Sequence, residues 1–286
     1  MSVSSSAIMA DPRYFDVRYS INPLTPLDGP PVNPTRARAQ WTRLAERLEE
    51  AGVSVSVVRP PPMEYPDFVF IKNAALLIGR HAIMARFAHL ERRGEEVVAA
   101  EWLRREGYTI HELPEHEGLF FEGGGDAIWS HGDQHLWLAY GQGRTSRAGA
   151  EEVRRMVRIL TPGVSVHLLR LGLTRPTPRT YHLDLCFLPV GERRVLVQYG
   201  SFAAAGLSEI ARVFGAAGII RVPSRYLFAC NSVVVPSAGV LIAPKLAAEG
   251  YRVWLARKTG LRIVEVNVSE FQKAGGAVAC MVLPVD

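Results

Sequence analysis

Five stretches of the chain place apolar side chains at the three- and four-residue spacing of an amphipathic helix. In the first stretch Trp41, Leu44 and Leu48 fall on one stripe, and Gly52 follows the last turn. The other stretches also stop at or near a glycine or a proline, the residues that commonly end helices. The predicted helices cover residues 35–51, 91–106, 148–160, 207–214 and 245–250.

Short apolar or alternating runs lie between these helices and are typical of β-strands. Residues 53–58, for example, alternate between valine and serine. In this pattern strands outnumber helices roughly three to one. The predicted strands cover residues 53–58, 74–78, 83–87, 109–113, 135–140, 164–169, 182–190, 194–199, 219–222, 232–235, 239–242, 262–268 and 278–285.

The first three helices begin near residues 35, 91 and 147, so that 56 residues separate each start from the next. Five modules, each of two or three strands and one helix, account for this spacing and favour a radial α/β arrangement. A Rossmann-type sheet needs about one strand per helix and a GxGxxG turn, and the sequence shows neither. We expect one domain over residues 1–286, with residues 1–10 flexible.

The composition is that of a globular protein, because 48% of the 286 residues are hydrophobic and 21% are charged. This balance excludes a disordered or fibrous chain. The first ten residues lack the features of a secretory signal, and no apolar run approaches the ~18 residues of a membrane span. Three cysteines are too few for a disulfide framework. The sequence therefore predicts a cytoplasmic protein without membrane contact.

The net charge of +5 raises the question of a nucleic-acid partner. Most of the basic residues are arginines, and they are scattered along the chain, as at Arg92, Arg104 and Arg154, instead of forming one dense tract. Arginines on solvated helix faces are the favoured interpretation, so no nucleic-acid partner is expected.

Three polar clusters interrupt apolar runs and are candidates for chemistry. In the first, Glu122 and Asp126 flank three glycines, which let a ligand approach the backbone. A turn with two solvated acids is the alternative. In the second, strand alternation places His182, Asp184 and Cys186 on one face, lining a cavity. No further ligand spacing supports a metal site there, so no metal is expected.

The third cluster follows two glycines near the end of the chain, where Cys280 lies near the start of the last predicted strand. A buried cysteine with a structural role is the common case. A lone cysteine with a distant histidine is also the arrangement of a thiolate nucleophile and its acid–base partner. From the residues alone, both interpretations stay open.

Together these clusters resemble the guanidine-modifying superfamily of amidinotransferases, arginine deiminases and dimethylarginine dimethylaminohydrolases. The resemblance extends over nearly the whole chain and rests on six short motifs in the same order. They are YFDVRYSINP at 14–23, PDFVFIKN at 66–73, FEGGGD at 121–126, GRTS at 143–146, HLD at 182–184, and GG followed by the cysteine at 275–280. The resemblance implies a five-bladed ββαβ propeller, the pentein fold, and an enzyme that uses no cofactor.

In this family a cysteine attacks the central carbon of a guanidinium group that carboxylates hold in plane. The resemblance implies that Cys280 is the nucleophile and that His182 protonates the departing amine and activates water. It further implies that Glu122 holds the histidine or the guanidinium, and that Arg144 pairs with the substrate carboxylate. Substrate contacts are also implied for the remaining acids of the motifs, Asp67, Asp126 and Asp184.

Departures from the family patterns indicate which branch of the family, and so which substrate, the sequence resembles. Lys72 and Asn73 stand where dimethylarginine hydrolases carry a glutamate and an aspartate, whereas Asp184 is present as in deiminases. Asn73, together with Asn22 in the sequence INP, is similar to the arginine dihydrolase branch, which converts L-arginine through citrulline to ornithine, ammonia and carbon dioxide. A neutral amide both donates and accepts, which suits an uncharged ureido group. A turn-initiating role is the alternative for Asn22, and a solvated side chain is the alternative for Lys72.

Other outcomes stay open at this level. They are a dimethylarginine hydrolase, a deiminase that stops at citrulline, amidino transfer to an amine, and a silent propeller that binds RNA or a ribosome. The positive charge favours the last of these, whereas the retained cysteine, histidine and carboxylates speak against it. We expect a small-molecule partner, arginine or a derivative, and the oligomeric state is open, with a homo-oligomer among the outcomes.

Overall fold

The computed structural model describes residues 2–3, 5–61, 65–172 and 180–285. This part of the chain contains fifteen short strands. They are β1 (Ser6–Ala10), β2 (Ser54–Val58), β3 (Ala75–Ile78), β4 (His81–Met84), β5 (Thr109–His111), β6 (Ala127–Ser130), β7 (His135–Tyr140), β8 (Ser165–Arg170), β9 (Phe187–Val190), β10 (Arg194–Val197), β11 (Ile219–Arg221), β12 (Val233–Val235), β13 (Val240–Pro244), β14 (Arg262–Val266) and β15 (Leu283–Val285).

Five longer helices alternate with these strands, and two single helical turns accompany them. The helices are α1 (Pro34–Glu50), α2 (Glu95–Arg105), α3 (Gly123–Asp126), α4 (Arg147–Leu160), α5 (Ala204–Phe214), α6 (Tyr251–Thr259) and α7 (Ser269–Gln272). Local sequence explains the starts of α1 and α4, because the side chains of Asn33 and Ser146 accept hydrogen bonds from the first-turn amides. The predicted apolar stripe of α1 is buried.

The strands form five three-stranded sheets of one repeating design, with the orders β15-β1-β2, β3-β4-β5, β6-β7-β8, β9-β10-β11 and β12-β13-β14. In each sheet the middle strand pairs antiparallel with one neighbour and parallel with the other. A longer helix connects each parallel pair, which gives the ββαβ unit. The predicted five-bladed propeller is confirmed.

The first strand closes the ring of sheets. β1 pairs with the last strand, so that Ser6 lies opposite Val285, and on its other side it pairs with β2. The prediction that residues 1–10 are flexible is therefore wrong for Ser6–Ala10, whose last four residues are buried. The pairing partners lie far away in the sequence, and a local pattern does not reveal them. Met1 and Ser4 lie outside the described residues.

Three predicted boundaries fail because a turn replaces part of a regular element. The helix predicted at 245–250 instead begins after Gly250, whose φ of 72° places it in the left-handed region. The strand predicted at 182–190 starts only at Phe187, because Leu183–Leu185 form a 3₁₀ turn. The last predicted strand likewise begins with a 3₁₀ turn, Ala279–Met281.

Short helical turns precede most of the edge strands, at one end of the fold. The edge strands β3, β6, β9 and β15 each follow a helical turn, respectively Ile71–Ala74, α3, Leu183–Leu185 and Ala279–Met281. β12 follows the loop 229–232. Beyond the turns, residues of the edge strands or just after them line one axial cavity from all five sheets. The five turns therefore meet around the axis, and hydrophobic clusters fill the spaces between neighbouring sheets.

Candidate active site

A second, small cavity opens where these turns meet. Six of the nine predicted site residues line it, whereas Glu122, Asp126 and Asp184 are buried and are not among its lining residues. The prediction that Asp184 lines the cavity together with His182 is therefore wrong for Asp184. The polar lining residues are Asn22, Asp67, Asn73, Arg92, Arg144, Tyr181, His182 and Cys280.

Cys280 reaches the cavity from the turn Ala279–Met281 and is only 2% exposed. Gly276, four residues earlier, packs so closely on Phe70 that an added Cβ would lie 2.3 Å from the ring atom Cε1. The Cys280 Sγ lies 3.6 Å from Asp184 Oδ2. Burial and the Asp184 charge raise the pKa of the thiol to about 12, although Lys72 acts in the opposite direction. In the unliganded protein the thiol is therefore neutral at pH 7.

Asp184 forms a buried ion pair with Lys72. The distance from Lys72 Nζ to Asp184 Oδ2 is 2.9 Å, and both side chains are at most 2% exposed. A solvated Lys72 is therefore ruled out. The second carboxylate oxygen of Asp184, Oδ1, is buried and has no partner among the described residues. Asp184 thus contacts the sulfur through Oδ2 and keeps Oδ1 as an acceptor for a ligand.

His182, Glu122 and Arg144 form a buried hydrogen-bonded chain. His182 Nε2 lies 2.8 Å from Glu122 Oε2, and Arg144 Nη1 donates to the same oxygen at 3.0 Å. Burial alone would raise the pKa of Glu122, but Arg144 and His182 together hold it well below its usual range. Glu122 is therefore a permanent anion that orients the imidazole.

Asp126 holds the backbone next to His182. Its carboxylate accepts hydrogen bonds from the Thr145 hydroxyl at 2.6 Å and from the Leu183 amide at 3.1 Å. Burial raises the pKa of Asp126 to about 6, although His182 and Thr145 lower it. Asp126 thus fixes the segment that follows His182, and the predicted contact with substrate has no support in this geometry.

Arg92 is the main residue that the sequence pattern missed. The residue is only 3% exposed, and its guanidinium pairs with Glu95 at 2.6 Å, so the expected solvated helix face is wrong here. Arg92 Nη1 also donates to Asn73 Oδ1 at 3.1 Å. The amide oxygen of Asn73 therefore faces Arg92, and its Nδ2 is buried without a partner among the described residues.

The remaining lining residues join distant segments. Asn22 Nδ2 donates to the Ala274 carbonyl at 3.1 Å, and its Oδ1 accepts from the Leu24 amide. The second contact agrees with a turn-initiating role for Asn22. The Tyr181 hydroxyl donates to the Gly275 carbonyl at 3.0 Å. Burial raises the pKa of the lining acid Asp67, although Arg92 and Arg144 oppose this shift.

Three buried polar atoms at this site lack partners in the described part of the chain, namely Asn73 Nδ2, Arg144 Nε and Asp184 Oδ1. An unpaired buried polar atom costs about 1–3 kcal/mol, so such atoms are uncommon in folded proteins. Two donors and one acceptor near one cavity are what a polar ligand would satisfy. Within the described ranges there is no group of three or more acids, histidines or cysteines arranged to hold a metal.

A family model described as N,N dimethylarginine dimethylhydrolase, eukaryotic, matches residues 31–286. The chain belongs to this family. It is a guanidine-modifying hydrolase, as the sequence motifs predicted. None of the helices in the described ranges has the length and apolar character to cross a membrane.

Two curated members of this similarity group carry different activities. The bifunctional arginine dihydrolase/ornithine cyclodeaminase AgrE of Nostoc sp. is 34% identical over 282 residues, which are 97% of this chain and 37% of that protein. The chain thus spans about a third of the bifunctional relative. The N(G),N(G)-dimethylarginine dimethylaminohydrolase of Mycobacterium tuberculosis is 30% identical over 277 residues, covering 97% of this chain and 84% of that protein.

A solved structure of the N-terminal domain of ArgZ, an arginine dihydrolase of cyanobacteria, is similar over the whole fold. That structure is of a cysteine-to-serine variant bound to substrate. The TM-score is 0.85 with 32% sequence identity, and the match covers 97% of both chains. Within the family, this chain therefore resembles proteins with dihydrolase activity as well as proteins that act on dimethylarginine.

Proposed function

We propose that this protein hydrolyses free L-arginine to ornithine, two molecules of ammonia and carbon dioxide, with Cys280 as the nucleophile. The observation that carries the proposal is the convergence of Cys280, His182 and the Asn73 amide on one cavity. The similarity to the substrate-bound ArgZ domain supports the same choice of substrate. The balance is arginine plus two waters, and each water displaces one nitrogen from the guanidine carbon.

The first half of the reaction begins with ligand binding beside Asp184. The free Oδ1 of Asp184 accepts from the guanidinium, and the positive charge of this group offsets the anion that raises the thiol pKa. The thiol proton passes to His182, and the resulting thiolate attacks the central carbon. Ammonia leaves with a proton from His182, and a thiouronium remains on Cys280. Water, deprotonated by His182, displaces the sulfur and gives citrulline.

The hydrogen bonds of Glu122 to His182 and Arg144 are compatible with the proton transfers of this reaction. Glu122 occupies Nε2 of His182, which leaves Nδ1 as the nitrogen for exchange with the leaving group and with water. The Nε of Arg144 is buried and has no partner within the described ranges, and its N–H suits the substrate carboxylate. The two roles share Glu122, because His182 and Arg144 both contact its Oε2 atom.

Asn73 supports the second half of the reaction. Because Arg92 holds its oxygen, Asn73 presents an N–H donor, which suits the carbonyl oxygen of a citrulline ureido group. Cys280 attacks the same carbon again, the second ammonia leaves, and water releases a carbamate that decomposes to ornithine and carbon dioxide. A second anion at position 73 would repel that carbonyl oxygen.

The proposal is tested by incubating the purified protein separately with arginine, citrulline and asymmetric dimethylarginine, and by identifying the products. We expect ornithine and ammonia from arginine, and no turnover by Cys280→Ala. The matched control is Cys230→Ala, since Cys230 is also a buried free thiol but does not line the cavity. Citrulline as the sole product would replace the dihydrolase by a deiminase. A strict need for an added amine would indicate amidino transfer.

Hydrolysis of dimethylarginine is the second candidate, and the family model that matches residues 31–286 favours it. Lys72 speaks against this candidate, because its buried ammonium stands where dimethylarginine hydrolases carry an acid. Turnover of methylated arginine alone would make it the function. Salt-sensitive RNA binding without turnover of any of these compounds would instead indicate a silent propeller.

A further inference from the structure

Four of the five turns around the axis carry a proposed catalytic or substrate-binding residue. The turns before β3, β9 and β15 carry Asn73, Asp184 and Cys280, and Glu122 directly precedes α3. The fifth segment, 229–232 before β12, contributed no residue to the sequence prediction. Asn231 lies in this segment and is completely buried.

Asn231 contacts the nucleophile with both ends of its amide. Its Nδ2 donates to Cys280 Sγ at 3.1 Å, and its Oδ1 accepts from the amides of Ala279 and Cys280 at 3.0 and 3.4 Å. The two backbone donors require an oxygen at Oδ1, so they fix the orientation of the amide. The N–H group of Asn231 therefore must face the sulfur.

This donor opposes the effect of Asp184 on the other side of the sulfur. A hydrogen bond to the charged form of a group favours that form, and a donor to a buried thiolate favours ionisation. Asp184 contacts the same sulfur with an acceptor, which favours the neutral thiol. The sulfur thus lies between Asp184, which favours the protonated thiol, and Asn231, which stabilises the thiolate.

We propose that Asn231 is the fifth-sheet member of the catalytic site, where it stabilises the Cys280 thiolate and aligns it for attack. This inference rests on the proposed role of Cys280 as the nucleophile. Without the thiolate contact, Asn231 would be a structural residue that only caps the amides of the turn Ala279–Met281. The two roles predict opposite changes in the reactivity of the sulfur, because loss of a cap loosens the turn and exposes the thiol.

The test is the rate at which iodoacetamide alkylates Cys280 at pH 9, with the modified residue identified by peptide mass spectrometry. The variants are Asn231→Ala, which removes donor and acceptor without adding charge, and Asn231→Asp, which keeps an acceptor for the two amides. Losing a hydrogen bond to an ion raises a pKa by about one to two units. The more basic thiolate is more nucleophilic, which offsets about half of that loss. We therefore expect alkylation about 3- to 10-fold slower in Asn231→Ala, and slower still in Asn231→Asp.

The controls are Asn267→Ala and Asn267→Asp, because Asn267 is exposed and caps a turn outside the cavity. They should alkylate at the wild-type rate. Unchanged or faster alkylation in folded Asn231→Ala would overturn the proposal and leave a structural role. If Asn231→Ala does not fold, Asn231→Ser, which keeps a hydroxyl in the turn, takes its place with the same expectation. The alkylation rate can be measured without any substrate turnover. Activity in Cys280→Ala would show that the proposed function fails, and this result is distinct from an unchanged alkylation rate in Asn231→Ala, which would overturn the role of Asn231.

Discussion

Lys72 and Asp184 form an ion pair that is almost completely removed from solvent, with 2.9 Å between Nζ and Oδ2. The pair lies between the axial cavity and the active-site cavity, because Lys72 lines the axial cavity and Asp184 contacts the Cys280 sulfur. A charge in this position is tolerated only with its partner, since an isolated buried ion has a large desolvation cost. Lys72 therefore allows Asp184 to stay ionised next to a thiol.

Replacing Lys72 by methionine should destabilise the protein strongly. The variant keeps the length of the side chain but leaves Asp184 as an unpaired buried charge, which costs about 3–5 kcal/mol in the free energy of unfolding. Urea unfolding at pH 7 measures this loss. Lys245→Met is the control, because Lys245 is exposed, and it should change stability by less than about 0.5 kcal/mol. Equal stability of Lys72→Met and wild type would contradict the ion pair.

Asp126 should make stability depend on pH between about 4 and 6. Its pKa rises from 3.8 in the unfolded chain to about 6 in the folded protein, mainly through burial. The folded protein thus retains a proton that the unfolded chain releases. The contribution to stability is complete at low pH and is lost as the pH rises through the folded value, by up to about 3 kcal/mol.

The variant Asp126→Asn cannot titrate, so the difference between variant and wild type isolates this group. Stability relative to wild type should increase in the variant as the pH is raised from 4 to 7, measured by urea unfolding at each pH. A difference that stays constant over this range would mean that Asp126 titrates at the same pH in both states.

Replacing Asn73 by aspartate should change the product of the reaction more than its first step. The variant replaces the N–H donor by an oxygen, which repels the ureido oxygen of citrulline but still accepts from Arg92. Citrulline should accumulate during turnover of arginine, with the ratio of citrulline to ornithine rising at least about tenfold. Amino-acid analysis of the reaction mixture measures the ratio, and Asn267→Asp is the control for the added charge. An unchanged ratio would exclude Asn73 from the second step.

Replacing Gly276 by alanine should close the cavity. The added Cβ would lie 2.3 Å from Phe70 Cε1, and both residues line the cavity. Forcing the ring away costs about 1–3 kcal/mol in stability, and activity should fall with it. Gly206→Ala is a matched control, because its Cβ meets no atom closer than 3.7 Å inside α5 and should stabilise the helix. A wild-type melting temperature for Gly276→Ala would contradict the contact with Phe70.

The sequence was informative where a residue's role depends on its own type and its local neighbours. The apolar stripe of α1 and the glycine-flanked Cys280 are local signals, and the motifs that contain them supported both the fold and most of the cavity. Arg92 and Asn231 gave no such signal. Arg92 stands in a charged run that looks like a solvated surface, and Asn231 lies beside a serine in a short apolar segment. Their roles depend on contacts with Asn73 and Cys280 that only the assembled sheets provide.

The same limit explains why Asp184 does not line the cavity together with His182. Alternation along a strand puts His182 and Asp184 on one face, but the 3₁₀ turn Leu183–Leu185 removes that alternation. His182 then reaches the cavity while Asp184 turns toward Lys72 and the sulfur. A sequence pattern assigns a face to a residue in a regular element, and it has no rule for a residue in a turn.

The closure of the ring by β1 and β15 also determines when the site comes into existence. Cys280 lies just before the strand that pairs with the first strand of the chain, with Ala7 opposite Pro284. Contacts between such distant segments form late, because the intervening chain has to be ordered first. A molecule in which β1 and β15 have not paired therefore lacks a positioned Cys280 thiol. With Cys280 as the proposed nucleophile, we expect reactivity toward guanidines to begin only after these two strands have paired.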